Sequence, residues 1–186
     1  MSGDEASDGR KARGAKRRAE IIAAALAVVQ RDGAGGVTHR AVAKEAGIPT
    51  SLSAYYFATI DDLLVAALAT VADSYTAKIR AIIDRREDVL RGLAELIAES
   101  AGGPGRDRAL AERELSTLAS RRPALRPVAR RWRENVAELG GRCTDDPEAI
   151  SALVAVSDGM CTALLIENAP ADVDHIYAVL RKTLNV

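Results

Sequence analysis

The chain is poor in several residue types, and each scarcity narrows what it can be. Aromatic residues make up only 3% of its 186 positions: four Tyr, one Phe and one Trp. Alanine, leucine, valine and isoleucine must therefore pack its core, and with 48% hydrophobic residues there are enough of them. Cysteine occurs twice, at Cys143 and Cys161, with no CxxC spacing and no histidine nearby, which argues against zinc and against a disulfide scaffold. The two histidines, His39 and His175, are too far apart in sequence to suggest a metal site, so the expectation is no metal and no cofactor. Six prolines in 186 residues leave long uninterrupted stretches of helix-favouring sequence, which points to an all-α protein. No apolar run is read as approaching the ~18 residues of a membrane span. The basic stretch 10–18 before Ile21 resembles a secretory leader, but Glu20 interrupts it and Gln30-Arg31-Asp32 follows at once. A soluble, cytoplasmic protein with reduced thiols and no membrane partner is expected. No nucleophile motif, phosphate loop or cofactor glycine pattern is present, so an enzyme is not expected.

Net charge is zero but unevenly placed. Residues 10–60 hold nine basic and three acidic residues, whereas residues 61–186 hold 17 basic and 20 acidic. A basic N-terminal part suits a polyanion such as double-stranded DNA.

Helical periodicity divides the chain into about nine helices with short connections. Residues 1–15 read as a disordered tail carrying basic residues. A first helix spans 16–32 and ends at Gly33, Gly35 and Gly36. Thr38 is placed to cap a second helix, Gly47 to stop it in a left-handed turn, and Pro49 to start a third over 50–56. Thr59 caps a long fourth helix from Ile60 to about Arg85. Later helices are expected at 87–101, 106–120, 123–139, about 147–168 and 173–184, bounded by Gly102-Gly103-Pro104-Gly105, Gly140-Gly141 and Pro170.

The spacing of Ala43, Gly47 and Ile48 between helices two and three suits a helix-turn-helix: a small residue where the helices touch, a reversal, and an apolar plug. With the closing Tyr55-Tyr56-Phe57 and the long helix beginning Thr59-Ile60-Asp61-Asp62-Leu63-Leu64, the chain resembles the TetR family of bacterial transcriptional regulators, in the subset whose third helix ends in Tyr-Tyr-Phe. Over residues 16–70 the resemblance is motif-based. Beyond them it rests on helix count, length and the Arg-Pro-Ala-Leu-Arg-Pro stretch at 122–127. Four positions depart from the pattern: Ser51 stands for a glycine, Ser53-Ala54 for a Leu-Tyr pair, and Ile60 for a phosphate-binding lysine.

The resemblance implies a helix-turn-helix domain over 16–60, an effector-binding and dimerisation domain over 61–186, and a homodimeric repressor that a small-molecule effector releases from a palindromic operator. Thr50, Ser51, Leu52 and Tyr55 would meet base edges, while Thr38, His39, Arg40 and Tyr56 would meet phosphates. Phe57 reads as core, and Tyr56 serves either role. Independently of the resemblance, the position of Lys16, Arg17 and Arg18 at the start of the first helix suits a phosphate-tracking or minor-groove arm, against a solvated tail. An effector pocket is expected among Leu93, Ile97, Leu115, Leu118, Trp132, Val136, Asp158 and Met160, all of which also suit a core. Asp158 can instead face solvent or, the favoured reading, pair with an arginine. Ala152, Val156 and Ala163, with Ile176, Val179 and Leu180, form the expected dimer interface. The remaining reading is an architectural or partner-binding helical protein whose DNA reader has degenerated, suggested by Ser53 and Ile60.

Overall fold

The computed structural model describes residues 2–85, 87–168 and 170–186, with the side chains of residues 2–8 and 10 outside that description. Among the described residues there are ten α-helices, three short 3-10 turns and no strand. The helices are α1 (Ser2–Asp32), α2 (His39–Ala46), α3 (Thr50–Tyr56), α4 (Ile60–Asp84), α5 (Val89–Ala98), α6 (Gly103–Leu118), α7 (Arg126–Ala129), α8 (Arg131–Gly140), α9 (Pro147–Glu167) and α10 (Val173–Leu184). Helices α7 and α8 abut at Arg130, whose backbone is itself right-handed helical (φ −72°, ψ −25°), so together they are the single seventh helix expected from Pro123 on.

Two elements differ from the sequence reading. Helix α1 begins at Ser2 rather than Lys16, so residues 2–15 are helical, in contrast to the disordered tail expected there. No proline precedes Pro49, and Gly3, Gly9 and Gly14 do not by themselves stop propagation once a helix is nucleated. Helix α9, in contrast to the expectation of no membrane-length run, is long and apolar enough to cross a bilayer by length and composition, and only 17% of its most apolar window is buried.

The chain forms two compact units, Met1–Ala67 and Leu68–Val186, divided within α4. In the first, α1 packs on α2 and α2 on α3, and Ile21, Ala25, Val28, Val42, Ala43, Phe57, Leu63 and Leu64 have almost no exposure. Thr38 Oγ1 accepts the Ala41 N–H at 3.0 Å, capping α2. Gly47 closes it in the left-handed region (φ 63°), and the Ile48 N–H reaches back to the Ala43 carbonyl at 3.0 Å. Thr59 and Asp62 exchange bonds at the start of α4: Thr59 N–H donates to the Asp62 carboxylate and Asp62 N–H to Thr59 Oγ1, each at 3.1 Å.

In the second unit α10 lies on α5 and α9, and α9 also meets α6 and α8. Leu93, Ile97, Leu115, Val136, Leu139, Leu153 and Leu180 are fully buried between them. Arginines close two helix ends. Arg106 donates to the Leu164 and Leu165 carbonyls of α9, and Arg126 to those of Ala119 and Ser120 just past α6. Gly105 is required by close approach, because a Cβ there would lie 2.3 Å from the Glu99 carbonyl oxygen.

Candidate nucleic-acid interface and ligand cavity

Helix α3 is short, and its two sides are sharply unlike. Ser53 and, just beyond the helix, Phe57 are 0% and 2% exposed, whereas Thr50, Ser51 and Ala54 face solvent and Tyr55 is 81% exposed. The outward set offers hydroxyls and an aromatic ring at one- to four-residue steps, a surface able to reach groove edges. Ser53 is held from beneath: its Oγ lies 3.1 Å from Nδ1 of His39, the first residue of α2. His39, expected on phosphate, therefore has one ring nitrogen committed to seating α3. The other ring nitrogen takes no part in that contact. Thr38 likewise receives an N–H as helix cap and keeps its own O–H to donate. Arg40 is exposed.

Leu52 and Tyr56 are half-buried and border an open groove of about 520 Å³ whose other wall is Arg13, Gly14, Lys16, Arg17 and Glu20 of α1. Tyr55 and Tyr56 meet edge to face, ring centroids 5.4 Å apart. Residues 13, 16, 17 and 20 share one helical face, so it is the N-terminal extension of α1 that brings Arg13 to this groove. Arg13 had no role in the sequence reading. The absence of any helix breaker strong enough to stop α1 before residue 32 is the signal that could have found it. Of the expected arm, Arg17 is paired with Glu20 at 2.8 Å and the Arg18 guanidinium lies 4.7 Å over the Phe57 ring. Among the described residues, Lys16 has no ion pair.

In the second unit a cavity of about 380 Å³ opens between α6, α7, α8 and α9. Trp132, 9% exposed, forms its apolar wall and packs edge-on against Tyr75, centroids 5.0 Å apart. Asp158 lines it too, and takes a bidentate pair from Arg113: Nη2 to Oδ1 at 2.8 Å and Nη1 to Oδ2 at 3.2 Å. Beside them Ser116 donates to Glu112 at 2.5 Å. Burial pushes the Glu112 carboxyl above the usual carboxylate range, partly opposed by that hydrogen bond and by Arg113. Arg130 and Arg133 stand exposed at the cavity's edge. Burial also pushes the Cys161 thiol up to about 11, and Cys143 and Cys161 are both free.

Only Trp132 and Asp158 of the eight expected pocket residues line this cavity. Leu93, Ile97, Leu115 and Val136 are 0% exposed, in the core of the unit where α5, α6 and α8 each meet α9, and Leu118 and Met160 are half-buried outside the lining. The residues missed are polar: Glu112, Arg113 and Ser116 of α6, which line the cavity with Trp132 of α8 and Asp158 of α9. The expected dimer residues also divide. Ile176 (3%) and Leu180 (0%) belong to the protomer's own core, where α10 meets α5 and α9, and so are not surface. Ala152 and Ala163 are exposed, and Val156 and Val179 partly so. With Ala155, Gly159 and the 77%-exposed Ile166, Ala152 and Ala163 form an apolar ridge at three- and four-residue steps along the outward side of α9.

Comparison with known proteins supplies the context. Residues 21–67 match the family described as bacterial regulatory proteins, tetR family, and residues 84–186 match the tetracyclin repressor-like C-terminal domain. A solved TetR-family member from Streptomyces coelicolor A3 is 41% identical, covering 91% of this chain and 99% of that one with a TM-score of 0.81. The multidrug binding protein EbrR, solved in complex with ethidium, is also 41% identical, over 90% of this chain and 97% of that one, TM-score 0.76. EbrR has further been solved with malachite green and with proflavin. The HTH-type transcriptional regulator PksA of Bacillus subtilis (strain 168) is 36% identical over 86 residues, and the match spans 42% of that protein's length. Both units thus carry the family's two domains in order, and the chain belongs to the TetR family of bacterial regulators.

Proposed function

We propose that the chain is a homodimeric repressor that reads a palindromic operator with α3 and leaves it when an aromatic small molecule enters the Trp132 cavity. The observation that carries the reading is the two-sided character of α3. A helix that buries Ser53 and Phe57 while projecting Thr50, Ser51 and Tyr55 has its inner side fixed and its outer side available for a groove. In this reading Thr50, Ser51, Leu52 and Tyr55 meet base edges, and Thr38, His39, Arg40, Tyr56 and Lys16 meet phosphates.

A seven-residue reader contacts too few base pairs to select one site, so two copies are needed, about 34–36 Å apart along the duplex. The apolar ridge of α9 supports pairing through that helix, with Ala152, Val156 and Ala163 at the contact and Val179 of α10 beside it. The likeness to EbrR, whose solved complexes hold ethidium, malachite green and proflavin, supports a ring-bearing effector. Release follows if the effector fits best the conformation whose two readers are wrongly spaced for the operator. The degenerate-reader alternative loses one of its two motives, because Ser53 is one half of a polar clasp under α3; Ile60 remains the other.

Selection of bound duplexes from a random pool tests the reading. An inverted repeat with half-sites one helical turn apart is expected. Enrichment of single half-sites, or equal retention of every sequence at physiological salt, overturns it.

A further inference from the structure

The cavity's charge runs against the composition around it. From Asp61 onward acidic residues outnumber basic ones, 20 to 17, yet the cavity is lined by four guanidinium groups and two carboxyls. Those carboxyls offer little negative charge to a ligand. Asp158 is neutralised by its two-pronged bond to Arg113, and Glu112 is half-buried, accepts a hydrogen bond from the Ser116 hydroxyl, and holds its own proton more readily than an exposed glutamate. The arginines are not matched in the same way. Arg126 donates to uncharged carbonyls of Ala119 and Ser120. Arg130 and Arg133, at i and i+3 on one side of Trp132, form no ion pair among the described residues. Their neighbour Arg131 shows the contrast, because it turns to α4 and pairs with Asp73 at 2.6 Å. Deeper in, Arg113 Nε is buried and donates to no acceptor among the described residues.

An indole wall, a rim of uncompensated guanidinium groups and an inner N–H without an acceptor define one kind of guest. We propose that the effector of this cavity is an aromatic anion, its rings against Trp132 and its carboxylate, sulfonate or phosphate held by Arg130 and Arg133. This rests on the reading of the cavity as the effector site, and it departs from the dyes found in EbrR, whose positive charge the rim repels. Guanidinium presents paired donors that match the two oxygens of such a group, which makes the rim selective as well as attractive. Because the rim is exposed, its pull is screened beyond about 8 Å at physiological ionic strength, and affinity falls as salt rises.

The experiment uses the chain's only tryptophan. Trp132 fluorescence of the full-length protein is titrated with three probes of one ring system: 2-naphthoate, neutral 2-naphthol and 2-naphthylmethylammonium. The expected order of affinity is anion, neutral, cation, with the anion's advantage shrinking in high salt. In the Arg130→Gln/Arg133→Gln variant 2-naphthoate weakens about tenfold while 2-naphthol is unchanged; both positions are exposed, and far-UV circular dichroism checks the fold. Tighter binding of the ammonium probe, or an undiminished naphthoate affinity in the variant, overturns the proposal and leaves the cavity as effector site. If no probe perturbs Trp132, the cavity reading falls and the proposal falls with it.

Discussion

Ser53, with no exposed surface, lies with its hydroxyl 3.1 Å from Nδ1 of His39, so a polar pair rather than an aliphatic side chain fixes α3 on the start of α2. Breaking either half leaves a polar group without its partner in a confined space. Ser53→Ala and His39→Ala are each expected to destabilise the protein, and the double variant to fall short of their sum by about 0.5–1.5 kcal/mol. Urea denaturation of the four proteins in a double-mutant cycle checks this. Strict additivity means the two residues do not act as a pair.

Two glycines are required for different reasons, and alanine separates them. At Gly47 a side-chain methyl would stand in open space, but φ is 63°, so Gly47→Ala costs about 1–2 kcal/mol in backbone strain. At Gly105 the added Cβ meets the Glu99 carbonyl oxygen at 2.3 Å, and backbone must move. Gly105→Ala is expected to cost about 3 kcal/mol, in the range of core overpacking. Melting followed by Trp132 fluorescence reports the second change, and equal midpoints for Gly105→Ala and the unaltered protein contradict the collision.

Glu112 makes stability depend on pH in a definite sense. Its carboxyl is raised by burial, so the folded chain keeps a proton that the unfolded chain has already released. Folded binds more protons than unfolded, and stability therefore falls as pH rises from the ordinary glutamate range through the raised value. Glu112→Gln removes that component. Its urea midpoint relative to the unaltered protein is expected to improve between pH 5 and pH 7.5, and a constant difference across that span counts against it.

Lys16 is the arm residue with no ion pair among the described residues, whereas Arg17 is paired with Glu20 and Arg18 lies over Phe57. Lys16→Gln is expected to lower the slope of log affinity against log salt by about 0.9 per bound protomer, without changing the preferred sequence. Arg18→Gln is expected to lower thermal stability as well, because it uncovers the ring. Identical salt slopes for Lys16→Gln and the parent remove this residue from the DNA interface.

Ala163→Glu places a charge in the middle of the α9 ridge without touching the protomer's core, since Ala163 is already exposed. Sedimentation is expected to show a folded monomer with operator affinity reduced by at least about a hundredfold, as removal of a second reader implies. A dimer that survives this change does not use the ridge.

Backbone chemistry made much of the fold legible. Thr38, Gly47, Pro49, Asp146 with Pro147, and Asp172 each constrain φ, offer a cap or halt a helix by themselves, and the helices start or stop where those residues stand. The start of α1 was not legible, because nothing local marks a helix that simply continues. Exposure of Thr50, Ser51 and Tyr55 followed from a seven-residue helix having one buried side. The cavity did not follow, because polar α6 residues line it and the apolar residues nominated for it form the solid centre. Likewise Ile176 and Leu180 have the periodicity of any packed helix, and periodicity does not tell an inner partner from an outer one.

Dosage sensitivity is the consequence of the bare ridge along α9. If chains conceal it by joining in twos, then while chains are scarce the duplex-gripping species grows as the square of their number, and halving the supply cuts it roughly fourfold by mass action. A regulator built this way turns a modest shift in its own synthesis into a steep change at its promoter, before any small molecule arrives.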